Sequence, residues 1–531
     1  MFGRVQHKGC GARLCRVVAS LAVSTLASGC LAVGPDYQAP APPQIDRYSR
    51  APLPGTTGAP GATGGAQHFA YGRDLPQQWW RLFRSPALNR LVEEALHNNQ
   101  NLQATMSALR AAKEVVYAQQ TKYFPTAAGN FNPTRQQISG ATPGFSPVPI
   151  PTTGPFQFDL YTAQVLVSYT MDVWGLNRRT VESQQALADE QRFTVEAAYL
   201  TLTSNIVVAA VQEASLRDQI AATIQIIALN RKALGILRQQ LDAGYASRID
   251  VAAQEAALAQ QEATLPPLQK QLAITRDLLT ALLGRYPTEE PFEMFTLASL
   301  QLPQDLPVSL PSRLIEQRPD VRLAEEQMHA ASAEVGVATA NMLPNFTINA
   351  NGGYTALSLA GLLHPFNAFW LLGANVTQTV FDAGNLLHLR RQAEANYDQT
   401  GWSYRSVLIG ALQNVADSLH ALQYDAAQLA AARKFESAAK ISLDLSRQQL
   451  EVGQANILFL LLAQQQYLTA QIAVVQARAA RLSDTAALFQ ALGGGWWNRV
   501  EPPTEKILEV GSNTAFTLID PHVLIDPHGL Y

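Results

Sequence analysis

Side chains able to carry covalent or metal chemistry are few and scattered along this sequence of 531 residues. The nine histidines show no paired metal-ligand spacing. His97, His329, His388 and His420 fall singly within helical patterns, where surface or packing roles are far commoner than ligation. Gly493-Gly494-Gly495 follows a helical pattern instead of preceding one, and no Lys-Ser/Thr comes after it, so it is no phosphate-cradling loop. No nucleophile, base and orienting group fall into a recognisable arrangement. The sequence therefore reads as a non-enzyme with neither metal nor cofactor.

One reactive position has a readable context. The three cysteines, Cys10, Cys15 and Cys30, all lie near the N-terminus. Arg4, Lys8, Arg13 and Arg16 form a basic segment, and Val17 to Leu26 is an apolar run too short to span a bilayer stably. It ends at Leu26-Ala27-Ser28-Gly29-Cys30. Small residues before a cysteine resemble a bacterial lipobox, which makes Cys30 the expected lipidation site and residue one of the mature chain. Ala27 stands where such a motif usually has leucine. The competing reading is an ordinary signal peptide with an incidental cysteine. Lipidation would leave the mature chain no free thiol and no disulfide.

The elements that must carry any function are long helices in a repeated plan. Leu176 to Leu283 and Asn385 to Leu492 match without gaps at an offset of about 209 residues. Arg238-Gln239-Gln240-Leu241-Asp242 falls on Arg447-Gln448-Gln449-Leu450-Glu451, Gly244 on Gly453, Ala246 on Ala455, and Leu283-Gly284 on Leu492-Gly493. Each copy predicts one very long helix, a tight turn and a returning helix. Leu176 to Leu241 would run about 100 Å. Leu202, Ile206, Ala209, Leu216, Ile220, Ile227, Leu234, Leu237 and Leu241 keep a heptad phase along it, with Glu213, Thr223 and Asn230 as polar exceptions. Leu408, Leu412, Val415, Leu419, Leu422, Ala426 and Leu429 do the same in the second copy. The return helix from Ile249 contains Pro266-Pro267, which should kink or break it. A further helix is expected from Pro86 to about Lys122, after Ser85 as N-cap, and its counterpart from Ser312 to Asn341.

Each half also holds two strand-like segments. Tyr161, Ala163, Val165, Val167 and Tyr169 alternate with Thr162, Gln164, Ser168 and Thr170, the two-faced pattern of a membrane strand. Ala127 to Ser139 alternates weakly and carries Pro133. Phe346 to Ala356 and Phe369 to Phe381 complete the set. The faces expected to point outward are Tyr161/Val165/Val167, Ile348/Tyr354 and Trp370/Leu372/Val376. No later run of 18 apolar residues appears, so a membrane would have to be crossed by strands closed into a barrel. Four strands cannot close, and about eight are the minimum, so at least two chains are required. Pro- and Gly-rich sequence from Gly34 to about Asp74 reads as an extended leader without helix or strand. Gly284 to Pro311 reads as an irregular connection, and sequence from Asn498 on as a loose tail. A net charge of −3 gives no case for nucleic acid, and charged residues at 15% are sparse for a helical chain with 47% apolar residues.

With these pieces in place the chain resembles a TolC-like outer membrane factor of the lipoprotein branch often labelled NodT. The resemblance covers nearly all of residues 30 to 497. It rests on Gly29-Cys30 with Val33-Gly34-Pro35-Asp36-Tyr37, Trp79-Trp80 with Phe83, Leu96 through Leu102, Asp172-Val173-Trp174-Gly175, Arg318-Pro319-Asp320-Val321-Arg322 and Leu492-Gly493-Gly494-Gly495-Trp496. The organisation it suggests is a signal peptide (1–29), a lipidated extended leader (30–78), a first repeat (79–284), an equatorial connection (285–311), a second repeat (312–497) and a tail (498–531). The implied architecture is mostly α with a membrane β-barrel. A homotrimer would close a 12-stranded β-barrel continued by a 12-helix periplasmic α-barrel. The implied function is the passive exit duct of a tripartite efflux pump for drugs or other small toxic compounds. Its partners would be a periplasmic adaptor, an inner-membrane transporter and outer-membrane lipid.

Two candidate sites follow. Gly244, Ala246, Ser247, Gly453, Ala455 and Asn456 cap the hairpin tips, which is sufficient reason for the glycines. The resemblance adds adaptor contact there. One turn inside the second tip, relatives carry Leu-Asp-Ala-Gln followed by a basic residue, whereas this chain reads Leu461-Leu462-Ala463-Gln464-Gln465. Leu462 takes the acidic place and Gln465 the basic one. An apolar constriction through Leu458 and Leu462 is therefore expected in place of an ionic lock, the alternative being that these leucines only pack the coiled coil. The other functional class compatible with the pattern is a periplasmic coiled-coil scaffold or adaptor without a channel.

Overall fold

The computed structural model describes residues 32–45, 47–49, 55–57, 65–138, 156–291, 293–452, 454 and 457–499. Cys30, Gly453, Ala455 and Asn456 lie outside these residues. In chain order the elements begin with β1 (Thr56–Thr57), β2 (Gln67–Tyr71), α1 (Pro86–Asn98), α2 (Gln100–Gln120), β3 (Thr126–Ile138), β4 (Phe156–Met171), α3 (Leu176–Asp242) and α4 (Arg248–Leu282). They continue with β5 (Asp305–Val308), α5 (Pro311–Gln317), α6 (Pro319–Ala340), β6 (Asn345–Ala356), β7 (Ala368–Thr377), α7 (Asn385–Glu451) and α8 (Ile457–Ala491).

The duplication is metrical. α3 and α7 are each 67 residues, and α4 and α8 are each 35 residues. A 67-residue helix is about 100 Å long. Two shorter helices flank each long one, with α2 and α6 near the sheet and α4 and α8 toward the tips. The neighbours run α2–α3–α6–α7 in the upper half and α4–α3–α8–α7 in the lower half, so α2, α4 and α7 form the open edges. The predicted heptad positions Leu202, Ile206, Ala209, Leu216, Ile227, Leu234 and Leu237 are buried. The polar exceptions find partners: Arg217 and Arg276 both donate to Glu213 Oε1 at 2.8 Å, while Glu213 Oε2 is buried without a hydrogen bond, Thr223 donates to the Gln219 carbonyl at 2.8 Å, and Gln254 on α4 donates to Asn230 Oδ1 at 3.0 Å. The most apolar stretch of α3 is long enough to cross a bilayer by length and composition, but it is mostly buried within the fold.

The four-stranded sheet has the order β3-β4-β6-β7, antiparallel throughout. β3 and β7 are its edges, so Pro133, which lacks an N–H, sits on an edge strand. β4 reaches further than the alternation indicated, with 16 residues, whereas β7 stops at Thr377, short of the expected Phe381.

Five expectations are corrected. The helix expected from Pro86 to Lys122 is broken at Asn99, and the one expected from Ser312 to Asn341 is broken at Arg318; both residues are extended (ψ 118° and 122°). The breaks are where the hairpins close. Asn99 Nδ2 donates to the Leu282 carbonyl at 2.9 Å, and Arg318 Nη1 to the Ala491 carbonyl at 3.0 Å. A Cβ on Gly284 would lie 2.4 Å from the Asn98 oxygen, and one on Gly493 would lie 2.3 Å from the Gln317 oxygen. Both glycines also have positive φ, so each hairpin end fits only as glycine.

Pro266-Pro267 does not break α4, which runs through both prolines. Both are exposed, so the carbonyls they leave unbonded meet water while neighbouring turns pack on α3. The leader is not free of strand, nor is the 285–311 connection irregular throughout. β2 pairs parallel with β5, joining them in a small equatorial sheet with β1. Gln67 is fully buried there. It donates to the Pro303 carbonyl at 3.0 Å and accepts from Arg481 Nε at 3.0 Å. Beside this sheet Trp79, Trp80, Phe83 and Phe489 form the centre of the main core, with Trp79 and Phe489 centroids 5.7 Å apart.

Candidate functional site: a conduit wall, its collar and its tips

The sheet carries two chemically distinct faces. Cross-strand partners share a face, so the register assigns every residue. Tyr161, Val165, Val167, Ile348, Tyr354, Trp370, Leu372 and Val376 fall on one face, as the alternation predicted, with Phe131 on β3 joining them. Val165, Trp370, Leu372 and Val376 are exposed, Trp370 at 82%. The opposite face presents Asn132, Thr162, Gln164, Ser168, Thr347, Asn349 and Asn375. A face of bare tryptophan, valine and leucine backed by amides and hydroxyls suits lipid on one side and water on the other.

At the junction of sheet and helices the chain is tied by its own leader. The Asp172 carboxylate accepts from the Asn177 and Arg178 amides at 2.9 and 3.0 Å, capping α3, and Asp382 accepts from the Leu386 amide at 2.8 Å, capping α7. The Val33 amide donates to the Trp174 carbonyl at 3.0 Å. The buried Arg179 side chain donates to the Val33 carbonyl, to Asp36 at 2.6 Å and to Glu182 at 2.7 Å. Tyr37 stacks on His329 with centroids 4.3 Å apart. His329 in turn bridges Glu326 on its own helix (3.3 Å) and Glu182 on α3 (3.2 Å). These hydrogen bonds, the one to Glu326 foremost, hold the imidazole pKa above its ordinary value. This clasp joins leader, first repeat and second repeat. His329 shows only a helical position in sequence, and nothing local reveals its partners.

At the first tip, Gly244 has φ 77° and the Tyr245 amide donates to the Gln240 carbonyl at 2.7 Å. Ser247 begins α4 through a capping box. The Asp250 amide donates to Ser247 Oγ at 3.2 Å, and the Ser247 amide to the Asp250 carboxylate at 3.0 Å. Ala246 is half-buried against the Leu234/Leu237/Val251 cluster, while Tyr245 and Ile249 stand out at 86% and 80% exposure. In the second hairpin Leu460 and Ala463 are buried on the α3 side, whereas Leu462 and Gln465 are exposed. The side chain of Leu458 lies outside the description. Phe459, which the sequence reading passed over, is 63% exposed and one turn from Leu462, on the face opposite the packed one. The heptad phase of Leu460 and Ala463 is the signal that would have marked it.

An apolar-outside, polar-inside sheet on paired helices about 100 Å long defines an outer-membrane conduit. The chain belongs to the outer membrane efflux protein family, whose match covers residues 91–285 and 310–494. Among curated relatives, the Pseudomonas aeruginosa pyoverdine export outer membrane protein OpmQ is 30% identical over 429 residues, covering 79% of this chain and 88% of its own. The Pseudomonas putida toluene efflux pump outer membrane protein TtgF is 27% identical, covering 91% of this chain and 98% of its own. Among solved structures, the outer-membrane channel OprN superposes with a TM-score of 0.77 at 25% identity, covering 87% of this chain and 99% of its own. The Campylobacter jejuni CmeC channel shares the fold, with a TM-score of 0.78 at 19% identity, covering 87% of this chain and 95% of its own. The protein is an outer-membrane efflux channel component of the TolC-like type.

Proposed function

We propose that three copies of this chain form a passive exit duct anchored by lipid at Cys30 and driven by an inner-membrane transporter through a periplasmic adaptor. The carrying observation is the pair of open edges on one wall. Among the described residues β3 and β7 each have a free side, and directly below them α2 and α7 end the helical layer. Large exposed apolar side chains stand on these edge helices: Val115 and Tyr117 on α2, Ile274 and Leu278 on α4, Trp402, Ile409 and Ile441 on α7. Monomers rarely leave so much apolar surface bare, and open strand edges are not tolerated in lipid. Three copies of four strands and of four helices at each level give the 12-stranded barrel and 12-helix tunnel that the family resemblance implies. The leader supports the anchor: Val33 is docked beside Trp174 at the sheet–helix junction, three residues from Cys30.

The tips Gly244, Ala246 and Ser247, with Gly453, Ala455 and Asn456, are read as the adaptor contact, and Phe459 and Leu462 as the periplasmic aperture. Substrates belong to the class of small toxic organic compounds; relatives carry names for export of toluene, solvents, antibiotics and pyoverdine. In cells lacking the native gene, Ala246→Glu is expected to abolish ethidium efflux while leaving a heat-modifiable trimer in the outer-membrane fraction. Efflux at the wild-type rate would refute tip docking, and release of the wild-type protein by carbonate would favour the scaffold reading.

A further inference from the structure

The water-facing side of the sheet is not polar throughout. In the half nearest the helices its cross-strand sets are Ser168 with Asn349, and Thr170 with Thr347 and Asn375. In the distal half the same face changes character. Leu166 pairs with Asn351, which pairs with Leu371. Gln164 pairs with Gly353, which pairs with Phe369. Further out, Leu160 and Phe158 lie opposite Thr134 and Gln136, beyond the end of β6, with Phe158 buried by its own chain. Leu371 is 60% exposed and Leu166 37%. Between these two leucines the Asn351 side-chain oxygen is buried without a hydrogen-bond partner.

Register excludes the simplest explanation, that these side chains face lipid. Trp370 and Leu372 occupy the lipid face of β7, so Phe369 and Leu371 between them point the other way. A lumen lined only for passage of water has no use for aromatic and leucine side chains there, and the dry amide oxygen beside them marks a patch from which water is excluded even at a desolvation cost. The pattern also has a direction: all five apolar intrusions lie at the end of the sheet remote from the helices.

We propose that Leu166, Phe369 and Leu371, with Leu160 beyond them, form an apolar collar around the outward mouth of the channel. The collar passes apolar and amphipathic solutes and resists hydrated ions, because an apolar constriction dewets more readily than a polar one. This rests on the reading of the protein as a closed oligomeric barrel with the Ser168 face toward the lumen.

The test is a labelling rate. Ser168→Cys places a thiol one step inside the collar, and a mature chain lipidated at Cys30 has no other free cysteine. Intact cells are treated from outside with a membrane-impermeant quaternary-ammonium methanethiosulfonate. With the collar intact, labelling is slow; adding Leu371→Ser or Phe369→Ser accelerates it by about tenfold or more. Equal rates with and without the serine substitutions, or fast labelling with the collar intact, overturn the collar. Trimer retention on gels is checked for each variant, and Leu166→Ser on the neighbouring strand is the replacement should a β7 variant not assemble. If Ser168→Cys is unreactive even in the detergent-solubilised trimer, the face assignment fails and the barrel reading fails with it.

Discussion

Single residues in this protein act through carbonyls and carboxylates belonging to distant segments. His329 is the clearest example: one ring contacts the leader through Tyr37, α3 through Glu182 and its own helix through Glu326. Its pKa is raised, so the stabilisation from the protonated ring is complete below the ordinary histidine value and is lost as pH rises through the raised one. The groups facing it are Tyr37, Glu182, Glu325, Glu326, Arg179 and Arg322. The wild-type protein should therefore lose thermal stability relative to His329→Gln between pH 6 and pH 8.5. The substitution should cost roughly 1 kcal/mol at pH 6. Parallel melting curves at both pH values would contradict this role. Such roles were invisible in sequence. Arg318 and Asn99 read as ordinary helix residues, yet each breaks its helix to reach a carbonyl at the end of a hairpin. The extended conformation also has a local cause in each case: Pro319 follows Arg318, and Asn99 Oδ1 accepts from the Leu102 amide as an N-cap.

Elements were far more legible. The 209-residue offset foretold two long helices of equal length, and periodicity placed their buried seams. Strand alternation separated the two faces of the sheet correctly for β4, β6 and β7. What failed was local inference about breakers. Tandem proline in α4 is tolerated because the prolines lie on the exposed side. The leader strand β2 is short, and of its two buried residues, Gln67 and Phe69, one is polar by type yet held against Arg481 and Thr485. At the second tip, charge was replaced by Leu462, and the packed phase now places Phe459 on the same exposed side. A Phe459→Ser, Leu462→Ser double variant should raise single-channel conductance several-fold by wetting the periplasmic aperture. Unchanged conductance would mean that these side chains only pack the coiled coil.

The whole molecule is one wall panel of a conduit. Its thickness is one strand or one helix, and its length is set by helices of about 100 Å. Its two lateral edges are unfinished at every level, from β3 and β7 in the sheet to α2, α4 and α7 below. Duplication lets one chain supply four strands and two hairpins. The clasp at His329 ties the two repeats, the equatorial sheet ties the leader to the connection between them, and the glycine contacts at Gly284 and Gly493 close each hairpin within its own repeat. The apolar collar and the Phe459/Leu462 aperture would then restrict opposite ends of one lumen. Everything in this account requires that panels close on copies of themselves. Native mass spectrometry of the detergent-extracted protein tests this directly. A closed, lipid-anchored duct gives a single assembly of three mature chains, each beginning at Cys30 and heavier by its lipid; a stable monomer, or unmodified chains retaining residues before Cys30, would contradict it.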